Sequence, residues 1–247
     1  DNNNKKAKVG DVITVIIKGD ERLAKTADPS VEAPSVSIAG TAVTASATDD
    51  TDSTWTATYT MLNSDTEGSI PIVVNYKDYA GNSGPTKTQA NLIPVSDAVV
   101  FDKTPPTLSF VSIASNNSNS SLAKVGDEIT ISFTGSNQLR SDPVVIINPG
   151  SDASIASVSQ GSNATQWAAN YILQDGNTEG ALTFSIAFQD LAANPGDTVE
   201  IVTDGSEVIF DKTATDVSNF SIALDSNSDT GQLNNDNYTN DTTPTFN

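Results

Sequence analysis

The chain has 247 residues and a net charge of −19 at pH 7, which argues against partners such as nucleic acids or anionic membranes, because both favour Lys and Arg. It contains no Cys and no His, which excludes disulfides, thiolate chemistry, histidine-ligated transition metals and acid–base catalysis by histidine. No stretch approaches the roughly 20 apolar residues of a membrane-spanning helix, so we expect no direct membrane insertion. An acidic chain instead attracts cations.

Most of the chain consists of one unit that occurs twice. The motif Ala-Lys-Val-Gly-Asp begins at Ala7 and again at Ala123, 116 residues later, and Trp-x-Ala-x-Tyr begins at Trp55 and again at Trp167, 112 residues later. Two further motifs recur in the same order, Thr-Glu-Gly at Thr66 and Thr178 and Phe-Asp-Lys-Thr at the residues beginning with Phe101 and Phe210. The order is kept while the spacing drifts, which predicts a tandem array of a unit of about 110 residues with changes in loop length.

Three segments in each unit alternate apolar and polar residues. Taken in chain order they are residues 13–17, 55–61 and 70–76 in the first copy and residues 129–133, 167–173 and 182–188 in the second. A period of two predicts strands with one buried and one solvated face, and turn-rich pieces separate them. About seven short strands in about 110 residues is the immunoglobulin-like pattern. The predicted fold class is therefore all-β, with tandem immunoglobulin-like β-sandwich domains.

The repeat predicts three regions: residues 1–102 as repeat 1 without its first strand, residues 103–212 as repeat 2, and residues 213–247 as the start of a third, different repeat. In the immunoglobulin order, the first strand of repeat 2 falls at residues 108–114. The alternating pattern of residues 217–224 predicts the corresponding first strand of the third repeat. We therefore expect the chain to be a piece of a longer array, in which the first strand of repeat 1 was cut away or comes from a neighbouring chain.

Together, these motifs carry a family resemblance over residues 1 to about 213. Lys-Val-Gly-Asp before an early strand, Trp-x-Ala-x-Tyr, Thr-Glu-Gly, Asp-x-Ala-Gly-Asn and the junction Phe-Asp-Lys-Thr-Pro-Pro-Thr resemble the bacterial immunoglobulin-like (Big-type) tandem repeats of giant extracellular adhesins. The resemblance implies extracellular or cell-surface extender modules, often stiffened by calcium, whose partners are the neighbouring repeats of the same long chain. Repeat 2 departs from the pattern at Ala193, which replaces Gly, and after Thr213, where both prolines are lost.

Carboxylates recur where the predicted loops approach the exit of each sandwich. Several carboxylates gathered at one junction repel each other unless a cation neutralises them, and calcium takes six to eight oxygen ligands. The alternative is that these are turn-forming residues scattered over an acidic surface. The candidate calcium ligands are Asp11, Asp65, Glu67 and Asp102 in repeat 1 and Asp127, Asp175, Glu179 and Asp211 in repeat 2.

Two further acidic segments allow similar alternatives. The loops at Asp78 to Asn82 and Asp190 to Asn194 are typical of turns in which Asp and Asn bond their own backbone. The other interpretation makes Asp190 or Asn194 a ligand that completes the junction site from the far side. The tail is similar to the opening of another repeat class in the same adhesins and forms either a second calcium cluster or a disordered stub. Its candidate ligands are Asp225, Asp229, Asp236 and Asp241.

Other interpretations of the sequence are less favoured. Trp55 and Trp167 could stack on sugars, but both lie in phase with the buried face of their strands, which predicts core tryptophans. Paired carboxylates could act as in glycoside hydrolysis, yet no nucleophile, phosphate-binding loop or histidine accompanies them, so we expect no enzyme activity.

The sequence thus leaves three hypotheses for function. The first is an extracellular spacer of a surface adhesin or fibre, stiffened by calcium at its domain junctions. The second is a filament subunit joined to copies of itself by strand exchange, in which residues 217–224 fill the first-strand position of repeat 1 in the next molecule. The third is an immunoglobulin-like module that binds glycan or protein through its loops.

Overall fold

The computed structural model describes residues 5–23, 32–48, 51–91, 98–140, 143–149, 153–216, 223–230, 232–233, 235 and 238–246. The chain divides into a larger unit, Asp1–Asp211, and a smaller unit, Lys212–Asn247. The larger unit is built of strands, with a short 3-10 helix at Gln89–Asn91. Within the described part of the chain, no helix has the length and apolar character needed to span a membrane.

The strands of repeat 1 form short sheets around one core. The sheet orders are β2-β6-β5, β4-β3-β8-β9 and β1-β10-β7. Their bounds are β1 Lys6–Ala7, β2 Val12–Lys18, β3 Ser35–Ile38, β4 Thr41–Val43, β5 Ala45–Ala47, β6 Thr54–Thr60, β7 Gly68–Ser69, β8 Ile72–Asn75, β9 Lys87–Thr88 and β10 Val100–Phe101.

Repeat 2 forms two sheets that face each other. Their orders are β11-β13-β17-β16 and β12-β19-β18-β14-β15. The bounds are β11 Leu108–Ser115, β12 Leu122–Ala123, β13 Glu128–Gly135, β14 Val144–Pro149, β15 Ser154–Ile155, β16 Ser157–Gln160, β17 Gln166–Ile172, β18 Gly180–Ala187 and β19 Ile209–Phe210.

This strand order is that of an immunoglobulin sandwich. One sheet of that fold joins the first, second, fifth and fourth strands, and the other joins the third, sixth and seventh. The sheet β11-β13-β17-β16 reproduces the first set, and β19-β18-β14 reproduces the second. The predicted fold class, tandem immunoglobulin-like β-sandwiches, is confirmed, and the predicted first strand of repeat 2 is present as β11.

Each sandwich has its own apolar core. The alternating residues of the predicted strands point inward, as the period-two pattern requires. Ile129, Ile131 and Phe133 are buried in repeat 2, and the equivalent Ile13 and Val15 are buried in repeat 1. The two cores draw on separate stretches of sequence, residues 7–101 and 111–210. The domain limits proposed from the repeat stay a prediction.

Both tryptophans are core residues, as predicted. Trp55 is 2% exposed and Trp167 is 6% exposed. Each packs with the apolar side chains of its own sandwich, including Ala57 and Ala169 two residues later. Neither indole offers a face on which a sugar could stack.

Repeat 1 differs from repeat 2 at one sheet edge. In repeat 2, β13 pairs with β11 on one side and with β17 on the other. In repeat 1, the equivalent strand β2 pairs with β6. Among the described residues, no strand pairs with the other edge of β2.

The smaller unit contains one isolated antiparallel bridge among its described residues, between Leu224 and Phe246. The Asp225 amide extends this pairing by donating to the Thr245 oxygen at 2.8 Å. Most of the strand predicted at residues 217–224 lies outside the described residues, as does the candidate ligand Asp236.

Candidate functional site: the junction at residues 102–107

Residues 102–107 connect the two sandwiches, and we call them the linker. Glu67, at the end of repeat 1, accepts hydrogen bonds from the first part of the linker. Its Oε1 atom accepts from the Lys103 amide at 2.6 Å and from the Thr104 hydroxyl at 2.8 Å, and its Oε2 atom accepts from the same hydroxyl at 3.0 Å. These bonds, led by that from the Lys103 amide, lower the pKa of Glu67 below its ordinary value because they favour the ionised carboxylate.

The Lys103 ammonium binds the loop that carries Asp65, one of the candidate ligands of repeat 1. The Lys103 Nζ donates to the main-chain oxygens of Asn63 at 2.7 Å and of Asp65 at 2.8 Å. The Lys103 ammonium therefore satisfies two main-chain oxygens of this loop.

The Asp65 side chain supports the loop that presents these oxygens. Its Oδ1 accepts from the Tyr59 hydroxyl at 3.0 Å, and its Oδ2 accepts from the Leu62 amide at 2.7 Å. In repeat 2 the same bonds go to a neutral side chain, because Asn177 Oδ1 accepts from the Tyr171 hydroxyl at 3.0 Å and from the Gln174 amide at 2.7 Å. The structural equivalent of Asp65 is therefore Asn177 rather than Asp175, and the position needs an acceptor rather than a charge.

The Asp190–Asn194 loop closes on itself and also reaches the linker. Asp190 accepts hydrogen bonds from the Ala192 and Asn194 amides at 2.8 and 2.9 Å and from the Asn194 side chain at 2.9 Å. The same Asn194 Nδ2 donates to the main-chain oxygen of Asp102 at 2.9 Å. The loop is thus the self-bonded turn that the sequence favours. The loop also reaches across the junction through Asn194, and a role of Asp190 or Asn194 as a metal ligand stays a prediction.

The equivalent loop of repeat 1 has the same internal bonds without that contact. Asp78 accepts from the Asn82 amide at 2.8 Å and from the Asn82 side chain at 2.7 Å. These bonds, led by that from the Asn82 side chain, lower the pKa of Asp78. Asp78 is half-buried and Asn82 is exposed, whereas Asp190 is only 1% exposed.

The second part of the linker packs directly on repeat 2. Thr107 and Ser136 exchange two hydrogen bonds, with the Ser136 amide donating to the Thr107 oxygen at 2.8 Å and the Thr107 amide donating to the Ser136 hydroxyl at 3.1 Å. Pro106 is buried, and a Cβ atom added at Gly196 would lie 2.8 Å from its oxygen. The glycine is required here because no side chain fits between the loop and the linker.

The remaining candidate ligands of repeat 1 have protein partners. Asp11 Oδ2 accepts from the Lys8 amide at 2.9 Å and so closes the turn of the Lys-Val-Gly-Asp motif. Asp102 forms an ion pair with Lys6 at 3.5 Å.

In repeat 2, Asp127 makes the turn bond equivalent to that of Asp11, from the Lys124 amide at 2.9 Å. It also accepts from the Asn117 side chain at 2.7 Å, which is the largest cause of its lowered pKa. The other three carboxylates are exposed and have interaction partners of their own. They are Asp175, Glu179 and Asp211.

In the smaller unit, Asp225 and Asp241 each accept a main-chain hydrogen bond from two residues downstream, from Asn227 and Thr243, both at 2.9 Å. Asp229 is buried. Across the described residues of the whole chain, no group of three or more acidic side chains lies close enough to hold a metal ion. Calcium binding stays a prediction.

Two features of the junction were not predicted from the sequence. The contact of Lys103 with main-chain oxygens leaves no sequence signature, because any residue can supply an oxygen. The equivalence of Asp65 and Asn177 could have been found from the sequence, because the two residues are 112 positions apart, as are the two copies of the flanking Trp and Thr motifs.

No protein-family model matches the sequence, and no curated protein matches it. Among solved structures, a chimeric titin Z1Z2-Z1Z2 tandem is 10% identical with a TM-score of 0.25, over 85% of this chain and 94% of that one. The titin tandem A164-A165 is 11% identical with a TM-score of 0.25, over 84% and 92%. A Bacteroides ovatus SGBP-B, solved with a mixed-linkage heptasaccharide, is 15% identical with a TM-score of 0.23, over 85% of this chain and 44% of that one. These likenesses concern the fold alone, and the strand order above carries its assignment.

Proposed function

We propose that this chain is a spacer segment of an extracellular surface protein, in which tandem sandwiches hold a more distant part of the molecule away from the cell. The observation that supports this proposal is the linker, since hydrogen bonds to the two sandwiches hold its first three residues and its last one. Glu67 holds its beginning at 2.6 Å from the Lys103 amide. At the first linker residue, the Asn194 side chain donates to the Asp102 oxygen at 2.9 Å. At the last one, the Ser136 amide donates to the Thr107 oxygen at 2.8 Å.

A linker of this kind favours a spacer over a flexible string of domains. Flexible linkers are rich in Gly and Ser and leave their polar groups to water. The linker here has two prolines, Pro105 and Pro106, and no glycine. The amides of Lys103 and Thr107 and the oxygens of Asp102 and Thr107 bond to protein groups of the two sandwiches, so bending the junction requires these bonds to break.

The surface chemistry is consistent with an extracellular location and with the resemblance to adhesin repeats. A net charge of −19 favours solubility and keeps long parallel chains apart. We retain calcium as a second proposed clamp, acting in addition to Lys103 and Glu67. The chain is proposed to have no catalytic activity of its own.

The proposal is tested by measuring how widely the two sandwiches move. Since the chain has no cysteine, spin labels attached at Thr58→Cys in β6 and Ser157→Cys in β16 report one inter-sandwich distance. We expect a narrow distribution for the parent chain and a clearly broader one for Asn194→Ala. The matched control is Asn82→Ala, which removes the equivalent loop bond without touching the linker.

A broad distribution in the parent chain would contradict the spacer proposal. So would equal broadening by the two asparagine variants, since the effect would then arise from the loop rather than from the junction.

A further inference from the structure

Among the described residues of the first sandwich, no strand pairs with the outer edge of β2. In repeat 2 the equivalent position is filled by β11, whose residues Val111 and Ile113 are 0% and 3% exposed. This strand pairs with β13 on one side. On the other side, Val111 exchanges hydrogen bonds with Thr203 and Ile113 donates to Ser206, both in the segment that precedes β19.

In repeat 1 an open groove occupies the equivalent space. It has a volume of about 740 Å³ and is lined by apolar side chains from β2 and β8, among them Val15, Ile17, Ile72 and Val74. Beside it Ile16 is 62% exposed, whereas the equivalent Ser132 of repeat 2 is polar and half-buried. An unpaired edge over an exposed apolar groove is a template for a further strand.

One segment of this chain is similar in sequence to β11, the strand that fills the equivalent position in repeat 2. Residues 220–223 read Phe-Ser-Ile-Ala, and residues 111–114 of β11 read Val-Ser-Ile-Ala. The two segments are 109 residues apart, the same spacing that separates the junction motifs at Phe101 and Phe210. Residues 217–223 contain no charged side chain, so the segment itself brings no charge into the groove.

We propose that residues 217–223 of a second copy of this chain form the missing first strand of repeat 1. Transferring the register of β11 on β13 to β2 places Phe220 opposite Ile17, Ser221 opposite Ile16 and Ile222 opposite Val15. Phe220 and Ile222 then enter the groove while Ser221 faces outward. Main-chain pairing supplies the affinity and the apolar side chains fix the register, as in other cases of strand addition.

The proposed contact joins two different surfaces, one on each copy. A head-to-tail contact of this kind does not close on itself unless a rotation returns the chain to its start, so it propagates into a linear assembly. Copies of this chain would therefore extend one another end to end, in addition to acting as spacers.

Cysteine cross-linking tests both the contact and its register, because the chain has no cysteine of its own. A chain carrying Ser221→Cys is mixed with one carrying Ile16→Cys under mild oxidation. Opposed Cα atoms in paired antiparallel strands are about 4.5–5.5 Å apart, within the range that a disulfide spans. We expect a mixed dimer from this pair, and none from Ser221→Cys with Thr41→Cys, which lies on the edge strand β4 of the other sheet.

Light scattering over a concentration series provides the second measurement. The parent chain is expected to gain mass with concentration, and the double variant Phe220→Asp, Ile222→Asp to remain monomeric with its sandwiches folded. Two outcomes would overturn the proposal: a parent chain that stays monomeric at every concentration, as expected if another segment of a longer chain fills the groove, or equal cross-linking to Ile16→Cys and Thr41→Cys.

Discussion

The indole nitrogen of Trp55 donates a hydrogen bond to the main-chain oxygen of Asp52 at 2.9 Å. Among the described residues, the Nε1 atom of the equivalent Trp167 is buried without a hydrogen-bond partner. The two sandwiches therefore hold the same aromatic side chain in the same core position at different energetic cost.

This difference predicts unequal losses of stability for the same substitution at the two positions. Leaving a buried donor unpaired costs about 1–3 kcal/mol, so Trp167→Phe loses packing but relieves that cost. Trp55→Phe loses packing and a satisfied bond. We expect Trp167→Phe to change the stability of its sandwich little and Trp55→Phe to destabilise its own by about 1–2 kcal/mol more, measured by calorimetry. Equal losses at both positions would contradict the structural difference.

The equivalence of Asp65 and Asn177 predicts that Asp65→Asn is nearly neutral. An asparagine oxygen accepts the same bonds from the Tyr59 hydroxyl and the Leu62 amide. Asp65→Ala should instead cost about 0.5–1.5 kcal/mol per hydrogen bond lost, since it removes the acceptor of both donors. Chemical unfolding of the two variants measures the difference.

The same variant separates a structural role from calcium binding. Ligand binding to the folded state alone raises stability by RT ln(1 + [L]/Kd), about 2.7 kcal/mol at a hundredfold excess over Kd. If calcium binds at the junction through Asp65, millimolar calcium should raise the melting temperature of the parent chain but have a smaller effect on Asp65→Asn. Identical melting curves in calcium and in chelator would remove calcium from the proposed function.

The lowered pKa of Glu67 predicts a junction that loosens in acid. A carboxyl group with a depressed pKa in the folded state contributes stability that is fully present above its unfolded pKa, about 4.3 for Glu. That contribution is lost as the pH falls through the lower folded value. The spin-label distance distribution should therefore broaden below about pH 4. Glu67→Gln has no titratable carboxyl group at this position. The part of the acid-induced broadening of the distance distribution that comes from Glu67 should therefore be absent in that variant.

Gly196 predicts a steric test of the packing between linker and loop. A Cβ atom at this position would collide with the ring of Phe188 and lie 2.8 Å from the Pro106 oxygen. Overpacking of this kind costs about 1–3 kcal/mol, so Gly196→Ala should destabilise repeat 2. It should also broaden the spin-label distance distribution between the two sandwiches. The control is Gly176→Ala, where the added Cβ would meet nothing within 4 Å. Similar losses in both variants would show that the effect is not steric.

The strands could be predicted from the sequence because burial of one sheet face enforces a period of two, visible at Ile129, Ile131 and Phe133. The first strand of repeat 2 could be predicted because the fold order requires it. The position of the junction could be predicted, but the partners of its carboxylates could not. Carboxylates such as Glu67 bind amides, hydroxyls, lysines and metal ions with the same oxygens. Only the positions of neighbouring groups, which depend on tertiary packing, decide among these partners.

The parallel pairing of β1 with β10, and of β12 with β19, has a mechanical consequence. In each sandwich, tension along the chain enters before the first of these strands and leaves after the second, at opposite ends of the pair. The force therefore acts along the strands, and bonds such as those from the Val100 and Asp102 amides to the Lys5 and Ala7 oxygens, both 2.8 Å, share the load in shear. Peeling would break them one at a time, whereas shear requires them to fail together, so a pulled array should resist extension at these short parallel pairs.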